Sequence, residues 1–193
     1  ALNDEDKKRY GEIVTHLSEL GSSFSNNILD ATHAFTVNIT DEADIAGLPE
    51  SAKEAAKALA ESREQTGWLF TLDYPSYLPV MTYCENRELR EKMYHAFVTR
   101  ASEIGPSAGE FDNSAIMAET LKLKHEVAQL LGFENFALKS LATKMANSID
   151  EVMGFLEDLA VKSKAQGQRD FDEVIKFAQD ECDATDIQAW DLP

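Results

Sequence analysis

Hydrophobic side chains recur every three or four positions near the start of the chain, at Tyr10, Ile13, Val14, Leu17, Leu20, Phe24, Ile28 and Ala31. That spacing lines one face of an α-helix, here sustained from about Asp4 to Asp30. Asn3 or Asp4 can cap its start, and the acids of its first turn suit the positive end of the helix dipole. The near-heptad stripe predicts antiparallel packing against another long helix. Ser18, Gly21 and Ser25 interrupt the seam, which disfavours a coiled coil.

The period then shortens to two. Apolar and polar residues alternate through Phe35–Thr40, as on a half-buried strand, and a second alternation follows at Trp68–Leu72. Between them an Ala-rich helix opens at Pro49, where a missing N–H costs little, and runs to about Arg63. Residues 35–72 therefore read as a small β-α-β insert. Two strands alone are not stable, so the insert must lie on the helical body.

Helical spacing returns at Tyr74, with Pro75 and Pro79 within the first turns. Asn86 can cap a helix carrying Leu89, Met93, Phe97 and Ile104 that ends at Gly105-Pro106. Residues 107–112 read as a loop. Asn113 opens a further helix with Ile116, Leu121, Leu123, Val127, Leu130 and Leu131, closed by Gly132-Phe133 as a left-handed cap. A short helix spans about Phe136 to Leu141. The S-x-x-E box at Ser148–Glu151 then starts a pattern of Val152, Phe155, Leu156, Leu159, Phe171, Val174, Ile175 and Ala178. It reads as one helix from Ile149 to about Cys182, with Gly167 a point at which it could bend. The fold class is mainly α, an antiparallel bundle of long helices with a small two-stranded β element at Phe35–Thr40 and Trp68–Leu72. The whole of 1–193 is expected to form a single helical unit.

Composition supports long elements. Nine Gly and five Pro in 193 residues fall well short of average usage, and a β-sandwich would need more turn formers. Thirty-five acids against 18 Lys plus Arg give a net charge of −17. That excess argues against nucleic acid, whose phosphates must be neutralised by cations, and against docking on anionic lipid. No apolar run approaches the ~18 residues of a membrane span. Cys84 and Cys182 form no CxxC pair, so a reducing cytoplasm is the simpler setting, and both fall on apolar faces expected in the core. Ala1-Leu2-Asn3-Asp4 resembles neither a signal peptide nor an initiator Met, so processing or truncation is plausible.

Candidate chemistry is sparse. His125-Glu126-Val127-Ala128-Gln129 approaches the H-E-x-x-H of zinc peptidases, in which two His one helical turn apart grip the metal. Gln129 stands where the second His is needed, so His125 and Glu126 read as surface residues. His16, His33 and His95 lie in separate elements without a second ligand at metal spacing. The acids Asp41, Glu42 and Asp44 lack the loop pattern of a calcium site and are expected to cap a helix. Tyr77, Tyr83 and Tyr94 could line a groove, but core or boundary packing is expected. No catalytic residue and no metal ligand is assigned to any position, and no substrate-binding residue can be named.

Several ordered segments carry a family resemblance. They are Leu17–Leu20 through Asn27, Leu48-Pro49-Glu50, and the run Thr71-Leu72-Asp73-Tyr74-Pro75-Ser76-Tyr77-Leu78-Pro79-Val80-Met81. Arg87–Arg90, Tyr94–Phe97, Asp112–Ser114, Leu130–Ala137 and Ser140–Ala146 continue the series. Together they resemble the region upstream of the catalytic core in the thimet-oligopeptidase-like zinc endopeptidases. The resemblance implies a parent enzyme of the cytoplasm that cleaves short peptides in a deep channel between two largely helical halves. It implies zinc in that parent, held by an H-E-x-x-H helix and a glutamate downstream of the matching region. On that reading the chain is a non-catalytic fragment, a piece of channel wall with no zinc of its own. Its partners would be short peptides through the parent and the missing C-terminal catalytic region. Uncovered apolar faces on the first or last long helix are expected to promote a dimer. The alternative is a stand-alone acidic helical module that binds a protein or peptide in a groove. A third reading, an independent metalloenzyme using His125, Glu126 and a distant acid, has the broken motif against it.

Overall fold

A computed structural model describes residues 2–192; the ends of the expected 1–193 unit, Ala1 and Pro193, lie outside the described residues. Among the described residues there are seven α-helices and one two-stranded sheet, the mainly α class expected. They are α1 (Asp4–Ala34), β1 (Thr36–Ile39), α2 (Glu50–Ser62), β2 (Trp68–Thr71), α3 (Tyr74–Tyr83), α4 (Arg87–Val98), α5 (Ser114–Leu130), α6 (Phe136–Leu141) and α7 (Ile149–Cys182). Two short 3₁₀ turns, Glu42–Ile45 and Ala189–Asp191, complete the order. The chain divides into two compact units, residues 2–20 with 117–187, and 21–116 with 188–192.

The second of these units holds the larger core. β1 and β2 pair antiparallel, with Val37 opposite Phe70 and Ile39 opposite Trp68. Along β1 the expected alternation holds, Val37 turning inward and Thr36 and Asn38 outward. β2 departs from it, because Leu69, Phe70 and Thr71 are all buried. The reason is α2, whose alanines let its backbone lie close along the face of β2 that the pattern had left to solvent. Phe70 and Leu72 join Ile45, Val80, Leu89 and Met93 in one cluster built from α3, α4 and the sheet. Gly67 leads into β2 at φ +95°, and a Cβ there would collide with the carbonyl oxygen of Ile39.

Local signals set most boundaries. Asp41 caps the first 3₁₀ turn by accepting from Ala43 N–H at 3.0 Å, as expected of the acid cluster. Asn86 caps α4 through Leu89 N–H at 3.1 Å. Pro79 lies inside α3, where it cannot donate to the Pro75 carbonyl, and α3 ends four residues later. α4 stops at Val98 rather than at Gly105. Thr99 leaves helical geometry, Arg100 turns back to donate to the Phe97 carbonyl at 2.9 Å, and Ala101 takes a left-handed φ of 53°. Ile104 is therefore exposed in the following loop instead of riding the helix. Asn113 is buried, accepting from Asn27 at 2.8 Å and donating to the Phe24 carbonyl at 3.1 Å. Asp112 accepts from the Ser114 N–H that starts α5.

The unit of residues 2–20 and 117–187 is thinner. Ile13, Leu123 and Val127 form its buried centre, flanked by Tyr10, Leu17 and Leu20. Leu121, expected on the same stripe, instead faces solvent. Gly132 (φ +80°) ends α5 with Phe133 N–H to the Ala128 carbonyl and Gly132 N–H to Gln129, the left-handed cap expected from the sequence. Ser148 caps α7 through Glu151 N–H at 3.0 Å, but the Glu151 carboxylate reaches Asn147 N–H rather than closing the box on Ser148. Over its 34 residues α7 runs unbroken through Gly167. Ala178 is its one buried residue among those described.

Candidate functional site

His125 and Glu126 lie on α5, and the surroundings of Glu126 decide its chemistry. Arg9 on α1 donates to both carboxylate oxygens, at 2.6 Å from Nε and 2.9 Å from Nη2. That fork holds the Glu126 carboxyl below its ordinary value and raises the Arg9 guanidinium, each through the hydrogen bond they share. A carboxylate tied in this way is a poor proton acceptor. His125 is exposed, and Gln129, where a second His would stand, donates to the Glu134 carbonyl at 2.7 Å and closes the turn after α5. Glu126 is therefore a strut to α1, Gln129 a tie within the turn after α5, and His125 a surface residue.

The other flagged side chains stay apart. His16, His33 and His95 are exposed, and the nearest acids of His16 and His95 are one turn away on their own helices. Cys84 is buried, and burial pushes its thiol up, away from nucleophilic use. Cys182 corrects the expectation that both thiols are core: it is exposed at the end of α7. Tyr77 is buried and Tyr94 half-buried, but Tyr83 faces solvent, so the three line no common groove.

Two constructions have no motif in the sequence. In the first, Asp191 receives Arg87 Nη2 at 2.8 Å and Arg90 Nη2 at 2.7 Å, while Arg90 also donates to the Trp190 and Cys84 carbonyls. Trp190 then packs beside Tyr94 and His95, with the Arg87 guanidinium over its ring. This clamp lowers the Asp191 carboxyl to about 2, chiefly through Arg87. The second is a stack in which Tyr77 lies 4.1 Å from Phe97, and the Arg100 guanidinium covers Phe97 at 3.7 Å. Arg100 also donates to Thr32 at 2.8 Å. Burial lowers Arg100 and raises Tyr77. The Arg90–Asp191 pair and the Arg100–Thr32 bond join residues 101 and 68 positions apart, so neither has a local sequence signal.

A groove of about 220 Å³ lies between α2, β2 and the start of α3. Ala52, Ala55, Ala56 and Leu59 line it from α2, and Thr71, Asp73 and Ser76 bring polar atoms to it. Thr71 donates to Asp73 at 3.0 Å, and the Thr71 N–H bonds Ser76 Oγ at 3.0 Å. The groove offers shape and apolar contact but no poised acid, base or nucleophile.

Comparison with known proteins supplies what the geometry alone does not. The model of peptidase family M3 matches residues 80–193. This chain belongs to peptidase family M3. Oligopeptidase A of Salmonella typhimurium is 57% identical over 191 residues, 99% of this chain and 28% of that protein. Oligopeptidase A of Escherichia coli is 56% identical over the same extent. A probable cytosolic oligopeptidase A of Arabidopsis thaliana is 45% identical over 140 residues, 69% of this chain and 19% of that protein. The M3 chain described here thus spans a little over a quarter of the length of its bacterial relatives.

The zinc implied by resemblance does not fit these residues. Among the described residues no three His, Cys, Asp or Glu side chains are grouped to hold a metal ion. Glu126, the one acid beside a histidine in the motif-like segment, is committed to Arg9. No step of hydrolysis is assigned through zinc to any residue here.

Proposed function

We propose that this chain is a non-catalytic portion of a peptide-hydrolysing M3 enzyme and forms part of the wall of its substrate channel. One observation carries the reading: identity to oligopeptidase A runs through 99% of this chain yet takes in only 28% of that protein. The geometry supports it, since the carboxylates of Glu126 and Asp191 are committed to arginines. A wall acts by exclusion, admitting extended peptides and rejecting folded proteins. Zinc and the groups that activate water are then expected in polypeptide outside the match. A cytoplasmic setting is supported by the relative named as cytosolic, by two unpaired cysteines, and by the lack of any described helix long and apolar enough to cross a membrane.

The isolated chain is expected to take up no stoichiometric zinc and to hydrolyse no oligopeptide. Tight one-to-one zinc uptake with chelator-sensitive peptidase activity would refute the proposal, and loss of that activity in His125→Ala would point to the independent metalloenzyme. The reading frame of the source gene separates the remaining alternative. An H-E-x-x-H run downstream in frame supports the wall, whereas a stop after Pro193 supports the stand-alone acidic module.

A further inference from the structure

The groove between α2, β2 and the start of α3 has a chemistry that the proposed wall leaves unused. It exists because α2 sets small side chains against the sheet. Ala52, Ala55 and Ala56 share one helical face with Leu59, and their short side chains leave about 220 Å³ beside β2. Alternation along the strand decides the other wall. Phe70 enters the main cluster, while Leu69, buried but outside that cluster, turns to the groove with Thr71. The space equals about seven waters of liquid, enough for a short unbranched chain.

One end of this apolar slot is anionic. Asp73 Oδ2 accepts from Thr71 Oγ1 at 3.0 Å, but the side chain does not cap α3, and among the described residues no Lys or Arg pairs with it. Lys53 on α2 is taken by Glu42 at 3.9 Å. Ser76 Oγ accepts the Thr71 N–H at 3.0 Å and keeps a second lone pair. An anion is disfavoured by Asp73 and by a chain at −17. A neutral apolar group would leave the carboxylate unused, and a diamine would bring a second charge without a counter-ion in the groove. A single ammonium on an apolar stem satisfies both ends, and its three N–H donors match carboxylate and hydroxyl oxygens. Lysine is that group, a compact charge on a four-carbon stem. We propose that the groove is a subsite for a lysine side chain of a short peptide, with the stem on Ala55, Leu59 and Leu69 and the ammonium at Asp73 and Ser76. The positive end of α3 answers part of the Asp73 charge, so the site is weak, with Kd on the order of 1–10 mM. The proposal rests on the wall reading for its supply of peptides, and its test is separable from that reading.

The test is a titration of the isotope-labelled chain with acetyl-Gly-Lys-Gly-amide, whose one charge is the lysine, followed through amide chemical shifts. Saturable shifts are expected within residues 52–59 and 71–76. The norleucine peptide keeps the stem without the charge and should bind roughly tenfold more weakly. Asp73→Asn should weaken the lysine peptide by about the same factor. Ala55→Leu fills the groove from an exposed helical position and leaves the carboxylate in place, so it should abolish the shifts even if Asp73→Asn disturbs the fold. No saturation at about 50 mM peptide overturns the proposal, and so does equal binding of the norleucine peptide or unchanged binding in Ala55→Leu. Binding of n-butylamine without binding of the lysine peptide would assign the groove to a free amine and overturn it too. Zinc-dependent hydrolysis of the peptide by this chain would refute the wall reading alone, because the binding comparison does not depend on turnover.

Discussion

Asp191 is the residue at which the strongest electrostatic prediction can be made. Its side chain is only 9% exposed and is gripped by two guanidinium groups, so its carboxyl titrates near 2 instead of 3.8. The folded value lies below the unfolded one, so the stabilisation is complete above pH ~4 and is lost as the pH falls from about 4 towards 2. Discounted for the water that still reaches Arg87, the clamp is worth about 1–2 kcal/mol. In a Trp68→Phe background, Trp190 fluorescence should move to the red over that acid range, ahead of global unfolding. Asp191→Asn should show the shifted emission already at pH 7. An unchanged Trp190 signal in Asp191→Asn would mean that aromatic packing with Tyr94 and His95, and not the ion pairs, holds the segment.

The helices show where sequence pattern suffices and where it fails. Caps that act within a few residues were legible: Asp41, Asn86, Ser148 and Gly132 each mark a boundary through bonds to neighbouring backbone. α4 ends earlier than its apolar spacing implies, because Ile104 keeps the helical period after the backbone has turned at Thr99 and Ala101. β2 read as half-buried because alternation cannot reveal that α2 covers the second face. The Arg87–Arg90–Asp191 clamp depends on distant pairing and has no signature in the sequence. Two glycines turn this contrast into an experiment. Gly67→Ala meets both a positive φ and the Ile39 carbonyl, so it should destabilise by about 2 kcal/mol or more in urea unfolding. Gly167→Ala, in mid-helix with open space around it, should stabilise the isolated chain by about 0.5–1 kcal/mol. Equal effects at both sites would show that helix propensity, not local crowding, governs glycine in this chain.

Across the whole molecule, charge repulsion opposes both the folded state and association, and salt relieves both. A net charge of −17 spread over 193 residues repels itself, and that repulsion opposes the folded chain at low ionic strength. Salt screens it, with a Debye length falling from about 30 Å at 0.01 M to about 10 Å at 0.1 M. The attractive pairs that salt would weaken are mostly exposed contacts within one helix, such as Lys7–Asp4, Lys122–Glu119 and Lys162–Asp158, each worth well under 1 kcal/mol. Repulsion therefore outweighs attraction in the salt response, and the melting temperature should rise by several degrees between 10 mM and 300 mM NaCl. The same screening lowers the charge barrier between molecules, so non-specific association should grow with salt at high protein concentration. Measuring the melting curve at two protein concentrations separates the two effects. A rise that is independent of concentration belongs to the folded monomer, and a rise that grows with concentration belongs to association. A melting temperature that falls with salt would show that the Arg9–Glu126 and Arg87–Asp191 pairs hold more of the stability than their exposure suggests.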